Sequence, residues 1–404
     1  MNTEFFCAVL LCLIVPIMIG KCFGIQRLFP IVFLQLLFGL LLNSAGLSIW
    51  LQANGIDLLQ GPLLTSLSGL GWLGLSLLIA LTGSESSPLG QTQKAWRFIP
   101  ISILGFGMTC GIGSLFGYQL ALHYPQLLGS KQHHFAFALA IGLSLSVTAL
   151  PILIAVLREN RLTETLVGKL ATNCALLDDL WMWLVLAVIL SLVATTTLQP
   201  VAITVSLFTY LGVMFLIMRP LLRKFFRREV VEDDSDSLLI AITLICVSAI
   251  ATDLMGLHAI FGAYIAGVVL PGQAWGSKRK DILYFSQILL LPFFFVLTGM
   301  RLKIQIADGF FWQLTLMVTI VATSCKFLSV TLTARLTGLK WLEAGILGIL
   351  MQCKGLMELV AINILFEAGI ISLQIFSALA MMALISTFIT APLMQLLISK
   401  TNSR

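Results

Sequence analysis

The stretch CALLDDLWMWLV (Cys174–Val185) sets two adjacent aspartates, Asp178 and Asp179, inside an otherwise apolar run. That run covers residues 167–195 and is long enough to cross a bilayer. On insertion scales a buried Asp costs roughly 2.5–3.5 kcal/mol. A chain that accepts this cost at two neighbouring positions calls for a functional reading of the pair.

Composition places the pair in a membrane protein. The chain is 59% hydrophobic and 10% charged, with a mean hydropathy of +1.02. A soluble domain carries about 25% charged residues, so these 404 residues cannot coat a water-facing globule of their own size. The apolar runs are about 20 residues long, where a β-barrel would show short alternating segments. The expected fold class is therefore an all-α polytopic membrane protein. The opening MNTEFFCAVLLCLIVPIMIG has no basic start and reads as a span rather than a leader. The 8 cysteines are scattered without a CxxC and read as small core residues. The net charge of +6 speaks of orientation and not of nucleic acid.

Apolar runs and polar breaks give 13 candidate spans, at 4–20, 28–48, 63–83, 98–120, 135–157, 167–195, 199–221, 236–253, 257–272, 283–300, 311–334, 342–366 and 372–398. With the N-terminus outside, the outer loops hold only Lys131, Arg301 and Lys303, and only Lys326 and Lys354 fall within spans. Every other basic residue faces the cytoplasm, C-terminus included, as the positive-inside rule requires. The segment RPLLRKFFRREVVEDDSDS, with 222–237 at its centre, reads as a charged cytoplasmic connector. Six spans precede the seventh and six follow it, a count that suits two inverted halves. The expected domain plan is one transmembrane domain over 1–404, with no soluble C-terminal domain.

Charges within the spans are few: Asp178, Asp179, Lys326, Lys354 and Glu358. In the fifth span Ser144, Ser146 and Thr148 precede Pro151. A proline frees backbone carbonyls, which nearby hydroxyls can help satisfy. The segment reads either as a simple kink or as a broken helix lining a wet cavity. In the twelfth span Gly345, Gly348 and Gly355 flank Lys354, with Glu358 four residues beyond it. Lys354 and Glu358 share a helix face, so this is either a structural ion pair or a second interruption. Asp178 and Asp179 point about 100° apart, so one can face a basic partner and the other a water-filled cavity. Lys326 is the available partner. Burial disfavours the charged form of carboxylates and lysines alike, so such groups can exchange protons near physiological pH. A carboxylate is also a hard ligand for a small cation. A site that binds a proton or a cation, but not both, is the minimal exchanger. The alternative is a purely structural Asp–Lys bridge, which leaves the second aspartate unexplained.

Four stretches carry a resemblance: LSLSVTALPILIAVLRENRLTETLVGKLATNCALLDDLWMW, TDLMGLHAIFGAYIAGVVLPG, LLLPFFFVLTGMRLKI and KGLMELVAINI. In this order the chain resembles the monovalent cation:proton antiporter-2 family, and within it the cation/proton exchanger subgroup of plants and fungi. The resemblance implies a 13-span fold of inverted repeats with two crossing broken helices, spans five and twelve, and a core domain moving against a dimerisation domain in a homodimer. It implies that Asp179 carries cation and proton, that Asp178 pairs with Lys326, that Thr148 and Ser146 lie on the first unwound stretch, and that Lys354 is the basic residue of the second crossing.

The expected function is exchange of Na+ or K+ for H+ by alternating access in a cell membrane, the inner membrane of a bacterium. The acidic pair plus a lysine favours electrogenic exchange. No cofactor is expected, no metal beyond the transported monovalent cation, and no partner beyond cation, proton, lipid and a second copy. A sodium-coupled symporter of an organic anion is the alternative on the same fold. An aspartyl protease would need its two aspartates on separate helices. A potassium channel would need a filter-like Gly-Tyr-Gly loop.

Overall fold

The computed structural model describes residues 2–22, 31–42, 61–85, 97–159, 162–163, 165–193, 200–227, 234–255, 258–302 and 308–402. They are almost wholly helical; one isolated antiparallel bridge, Leu128 with Ile371, is the extended exception among them. Among the described residues seven helical stretches are long and apolar enough to cross a membrane, and shorter apolar helices accompany them. Where the described residues cover them, the candidate spans fall on helical stretches, the fifth and twelfth on two helices flanking a break; 28–48, 167–195, 199–221 and 257–272 lie partly outside the described residues. The charged connector at 222–237 lies partly outside the described residues; its flanks are helical.

The chain divides into two compact units, Met1–Ser87 with Thr196–Leu302, and Pro88–Thr195 with Lys303–Arg404. Each half of the chain, before and after the connector, contributes to both.

The first unit holds α1 (Asn2–Cys22), α2 (Ile31–Leu42), α3 (Gly61–Glu85), α8 (Pro200–Gly212), α9 (Arg219–Arg227), α10 (Asp234–Leu254), α11 (Ala259–Val269), α12 (Arg279–Phe285) and α13 (Leu291–Arg301). Single π-turns join α8 to α9 and α12 to α13. Ala8 and Cys12 of α1, Phe38 and Leu42 of α2, Leu67 of α3, and Phe293, Val296 and Leu297 of α13 form one apolar cluster. Without water in the hydrocarbon layer, helices associate through close packing at small residues.

The second unit holds α4 (Phe98–His123), α5 (His134–Ser146), α6 (Leu150–Glu159), α7 (Leu166–Val193), α14 (Gly309–Leu336), α15 (Trp341–Leu350), α16 (Leu356–Glu367) and α17 (Leu373–Asn402). α5 and α6 are the two halves of the fifth span, and α15 and α16 those of the twelfth. Pro151 is the second residue of α6. In a first turn its missing N–H costs little, so it starts the second half-helix rather than kinking a continuous one. An apolar cluster from α4, α6, α7, α14 and α15 packs around the breaks, with Leu150, Leu153, Met351 and Cys353 among its buried members.

α4 and α5 meet backbone to backbone at Gly142. A methyl group there would strike the Cys110 carbonyl and the Ser114 hydroxyl and backbone nitrogen of α4. Overpacking a close contact costs about 1–3 kcal/mol. Gly142→Ala is therefore expected to lower the melting temperature of the purified protein clearly. A variant as stable as the parent would show that the two helices do not touch as described.

Candidate ion site

Helix α7 carries the acidic pair. Its 28 residues make a rod of about 42 Å, and Asp178 and Asp179 sit near its middle. Both are buried, with 1% and 0% of their surface exposed.

Asp178 is held on every side. Its Oδ1 accepts a hydrogen bond from the Ser102 hydroxyl of α4 at 2.8 Å. Its Oδ2 accepts from Lys326 Nζ of α14 at 2.7 Å. The Thr148 hydroxyl lies 3.1 Å from the same oxygen and 3.1 Å from the Met351 carbonyl; its single proton serves one of them at a time. Lys326 also donates to the Ser146 carbonyl at 2.5 Å and stands 5.6 Å from the Phe106 ring centre. No part of Lys326 is exposed.

Asp179 differs from its neighbour in every respect but burial. Neither of its carboxylate oxygens has a hydrogen-bond partner among the described residues. Sequence reasoning placed this second carboxylate toward a water-filled cavity; in the structure no part of Asp179 is exposed. A buried polar atom without a partner is rare and calls for an explanation.

The two breaks meet beside Asp178. Residues 147–149 and 351–355 leave the helical path. The Ala149 N–H donates to the Cys353 carbonyl at 2.6 Å, so one broken segment partly satisfies the other. Lys354 Nζ lies 3.0 Å from the Ser144 carbonyl and 3.1 Å from that of Leu145, at the end of α5. Its distance to Glu358 is longer, 3.5 Å. The anticipated pair thus exists, but the lysine spends its nearest hydrogen bonds on carbonyls that a broken helix leaves open. Glu358 stands in the first turn of α16. A cation at the carboxyl end of α5 and an anion at the amino end of α16 each complement a helix dipole.

Of the three hydroxyls expected to serve the freed carbonyls, only that of Thr148 reaches a carbonyl at a break, that of Met351. Ser144 and Ser146 bond back one turn, to Ala140 and to Gly142 and Leu143. Ser146 contributes its carbonyl to the site, through Lys326. Sequence reasoning anticipated α4 as a span but missed its contribution to the site. Ser102 and Phe106 are four residues apart and so share one face of that helix, but a serine and a phenylalanine in an apolar span are too common to stand out.

Apolar helices of these lengths, with ionisable groups gathered where two of them break, define an integral membrane protein of the broken-helix kind. The chain belongs to the sodium/hydrogen exchanger family, whose transmembrane region matches residues 9–396. It is 32% identical to K(+)/H(+) antiporter 1 of Saccharomyces cerevisiae over 338 residues, 80% of this chain and 38% of that protein. It is 31% identical to Cation/H(+) antiporter 18 of Arabidopsis thaliana, over 81% of this chain and 41% of that one. Na(+)/H(+) antiporter NhaS4 of Synechocystis is 31% identical, over 80% and 79%. The chain thus spans about two fifths of the yeast and plant proteins. In fold it is similar to the sodium proton antiporter MjNhaP1 of Methanocaldococcus jannaschii, with a TM-score of 0.63 at 18% identity, over 98% of this chain and 95% of that one.

Proposed function

We propose that the protein exchanges a monovalent cation, Na+ or K+, for H+ by alternating access, with Asp179 as the carrier. The observation that carries this reading is the contrast within the acidic pair. Asp178 is fully bonded, whereas Asp179 is buried without a partner. A carboxylate in that position can be neutralised by a proton or by a cation, one at a time. The relatives named as K+/H+ and Na+/H+ antiporters support the reading.

Charge bookkeeping then bears on stoichiometry. If Asp179 works alone, one proton replaces one cation and no net charge moves. If cation binding opens the Asp178–Lys326 pair, Asp178 becomes a second ligand and Lys326 gives up a proton. The two loaded forms then differ by one charge, and exchange is electrogenic. We favour this second form, with thirteen crossings, the N-terminus outside, the C-terminus in the cytoplasm, and a homodimer in a cell membrane. A symporter of organic anions would need a cationic group available to its substrate. Both interior lysines are already engaged, Lys326 with Asp178 and Lys354 with carbonyls.

The test is proton flux in proteoliposomes, with Na+ and K+ added in turn. Dissipation of a preset pH gradient by one or both cations is expected. A gradient that collapses only when an organic anion is added with Na+ would favour the symporter.

A further inference from the structure

Within the second break, Met351, Cys353 and Lys354 all reach the fifth span: the Met351 carbonyl meets the Thr148 hydroxyl, the Cys353 carbonyl accepts from Ala149, and Lys354 caps α5. Gln352 bonds to α14 instead. Its amide nitrogen donates to the Thr323 carbonyl at 3.1 Å and lies 3.4 Å from the Gly348 carbonyl of α15. Thr323 stands one turn before Lys326 on α14. The two helices meet closely here, since a methyl on Gly348 would strike the Thr331 hydroxyl and crowd the Phe327 carbonyl. Both neighbours of the amide nitrogen are acceptors, which fixes the orientation of the amide. The amide oxygen is left over, buried and without a hydrogen-bond partner among the described residues. Only 6% of Gln352 is exposed. A leucine would fill the same place without stranding an acceptor, so packing alone does not call for an amide.

The amide sits where it can act on the acidic pair. Thr148 has one proton and two acceptors, the Met351 carbonyl and Asp178 Oδ2, each 3.1 Å away. With the proton on the Met351 side, Thr148 turns lone pairs toward Asp178. Two acceptor oxygens then face each other, and a cation beside them relieves their repulsion. With the proton on the Asp178 side, the carboxylate is satisfied and Thr148 has nothing to offer an ion. The place of the Met351 carbonyl decides between the two, and Met351 is the chain neighbour of Gln352. We propose that Gln352 is a positioning residue of the ion site: by tying the second break to α14, it holds the Met351 carbonyl against Thr148 and keeps the Thr148–Asp178 oxygen pair open to the cation. The cation is that of the exchange reading, on which this role rests.

The test compares the parent with Gln352→Leu, Thr148→Val and the double variant, in proteoliposomes for exchange and in detergent for melting temperature. Gln352→Leu loses two donated bonds but also one stranded acceptor, so its melting temperature should stay close to the parent's or fall slightly. Its KM for the cation should rise about tenfold, as for one hydrogen bond lost from binding, with the maximal rate changed by less than about twofold. Gln352→Asn keeps the amide on a shorter arm and should recover part of the KM. In the Thr148→Val background the leucine should raise KM no further, because the hydroxyl through which Gln352 acts is gone. An unchanged KM in Gln352→Leu, or a rise by the same factor in both backgrounds, would overturn the role. Melting temperatures give a second cycle that does not read transport. The leucine should be less harmful in Thr148→Val than in the parent, and additive effects would overturn the link. A parent that exchanges no cation would fail the exchange reading itself, while the stability cycle would still decide whether Gln352 acts on Thr148.

Discussion

Asp179→Asn is expected to bring cation-driven proton flux down to that of empty liposomes while the protein still folds and inserts. The amide keeps the size and shape of the carboxylate but neither titrates nor carries a charge for a cation to neutralise. The stability expectation has a definite sign. In the parent both Asp179 oxygens are buried without a partner, a destabilising situation for a charged group and costly for a neutral one. No described hydrogen bond is broken by the change. The melting temperature should therefore stay level or rise. A fall in activity with a rise in stability is the mark of a site residue held at the expense of the fold. Normal flux in purified Asp179→Asn would remove this residue from the mechanism.

Lys326→Ala should be among the most damaging single changes to the fold. Truncating one partner of a buried pair strands the other charge and commonly costs about 3–5 kcal/mol. Here the stranded group is Asp178, with only the hydroxyls of Ser102 and Thr148 left to it. Adding Asp178→Asn removes the stranded charge and should recover much of the loss. A double-mutant cycle on thermal stability reads this coupling directly. If the two single effects simply add, the residues are not energetic partners, whatever their 2.7 Å separation. Transport by the double variant separates two roles. A lysine that releases a proton on cation binding predicts exchange that no longer responds to membrane potential. Retained voltage sensitivity would make the pair structural and leave the chemistry to Asp179.

The helical architecture and the acidic pair were legible because both rest on cost. Long apolar runs leave few alternatives to helices in lipid, and two aspartates inside one stand out against them. Lys326 was legible by elimination, since so few charges lie within spans. The role of Lys354 was only half legible. Its spacing to Glu358 left both a structural ion pair and a second interruption open; the chain breaks at 351–355 and turns the lysine toward the end of α5. Where a side chain points after a break depends on tertiary packing, which no local pattern encodes. Ser102 was not legible at all: its partner lies 76 positions away, and only the packing of α4 against α7 brings them together.

The small antiparallel bridge far from the acidic pair has a consequence for how ions are counted across the membrane. Gly129 and Lys131 donate to the carbonyls of Ile370 and Gly369, and Ser372 donates to Leu127. These three bonds buckle the segment leading into α5 to the segment leaving α16. At their other ends the same two half-helices are fastened by Lys354 and by the Ala149–Cys353 bond. A pair of rods clasped at both ends cannot splay to admit or expel an ion, so entry and exit fall to other parts of the chain. Under the proposed role, the ion would then meet the same cage whichever compartment it came from. A carrier of that kind runs in either direction and leaves the sign of net flow to the two ion gradients and, in the electrogenic form favoured above, to the membrane potential.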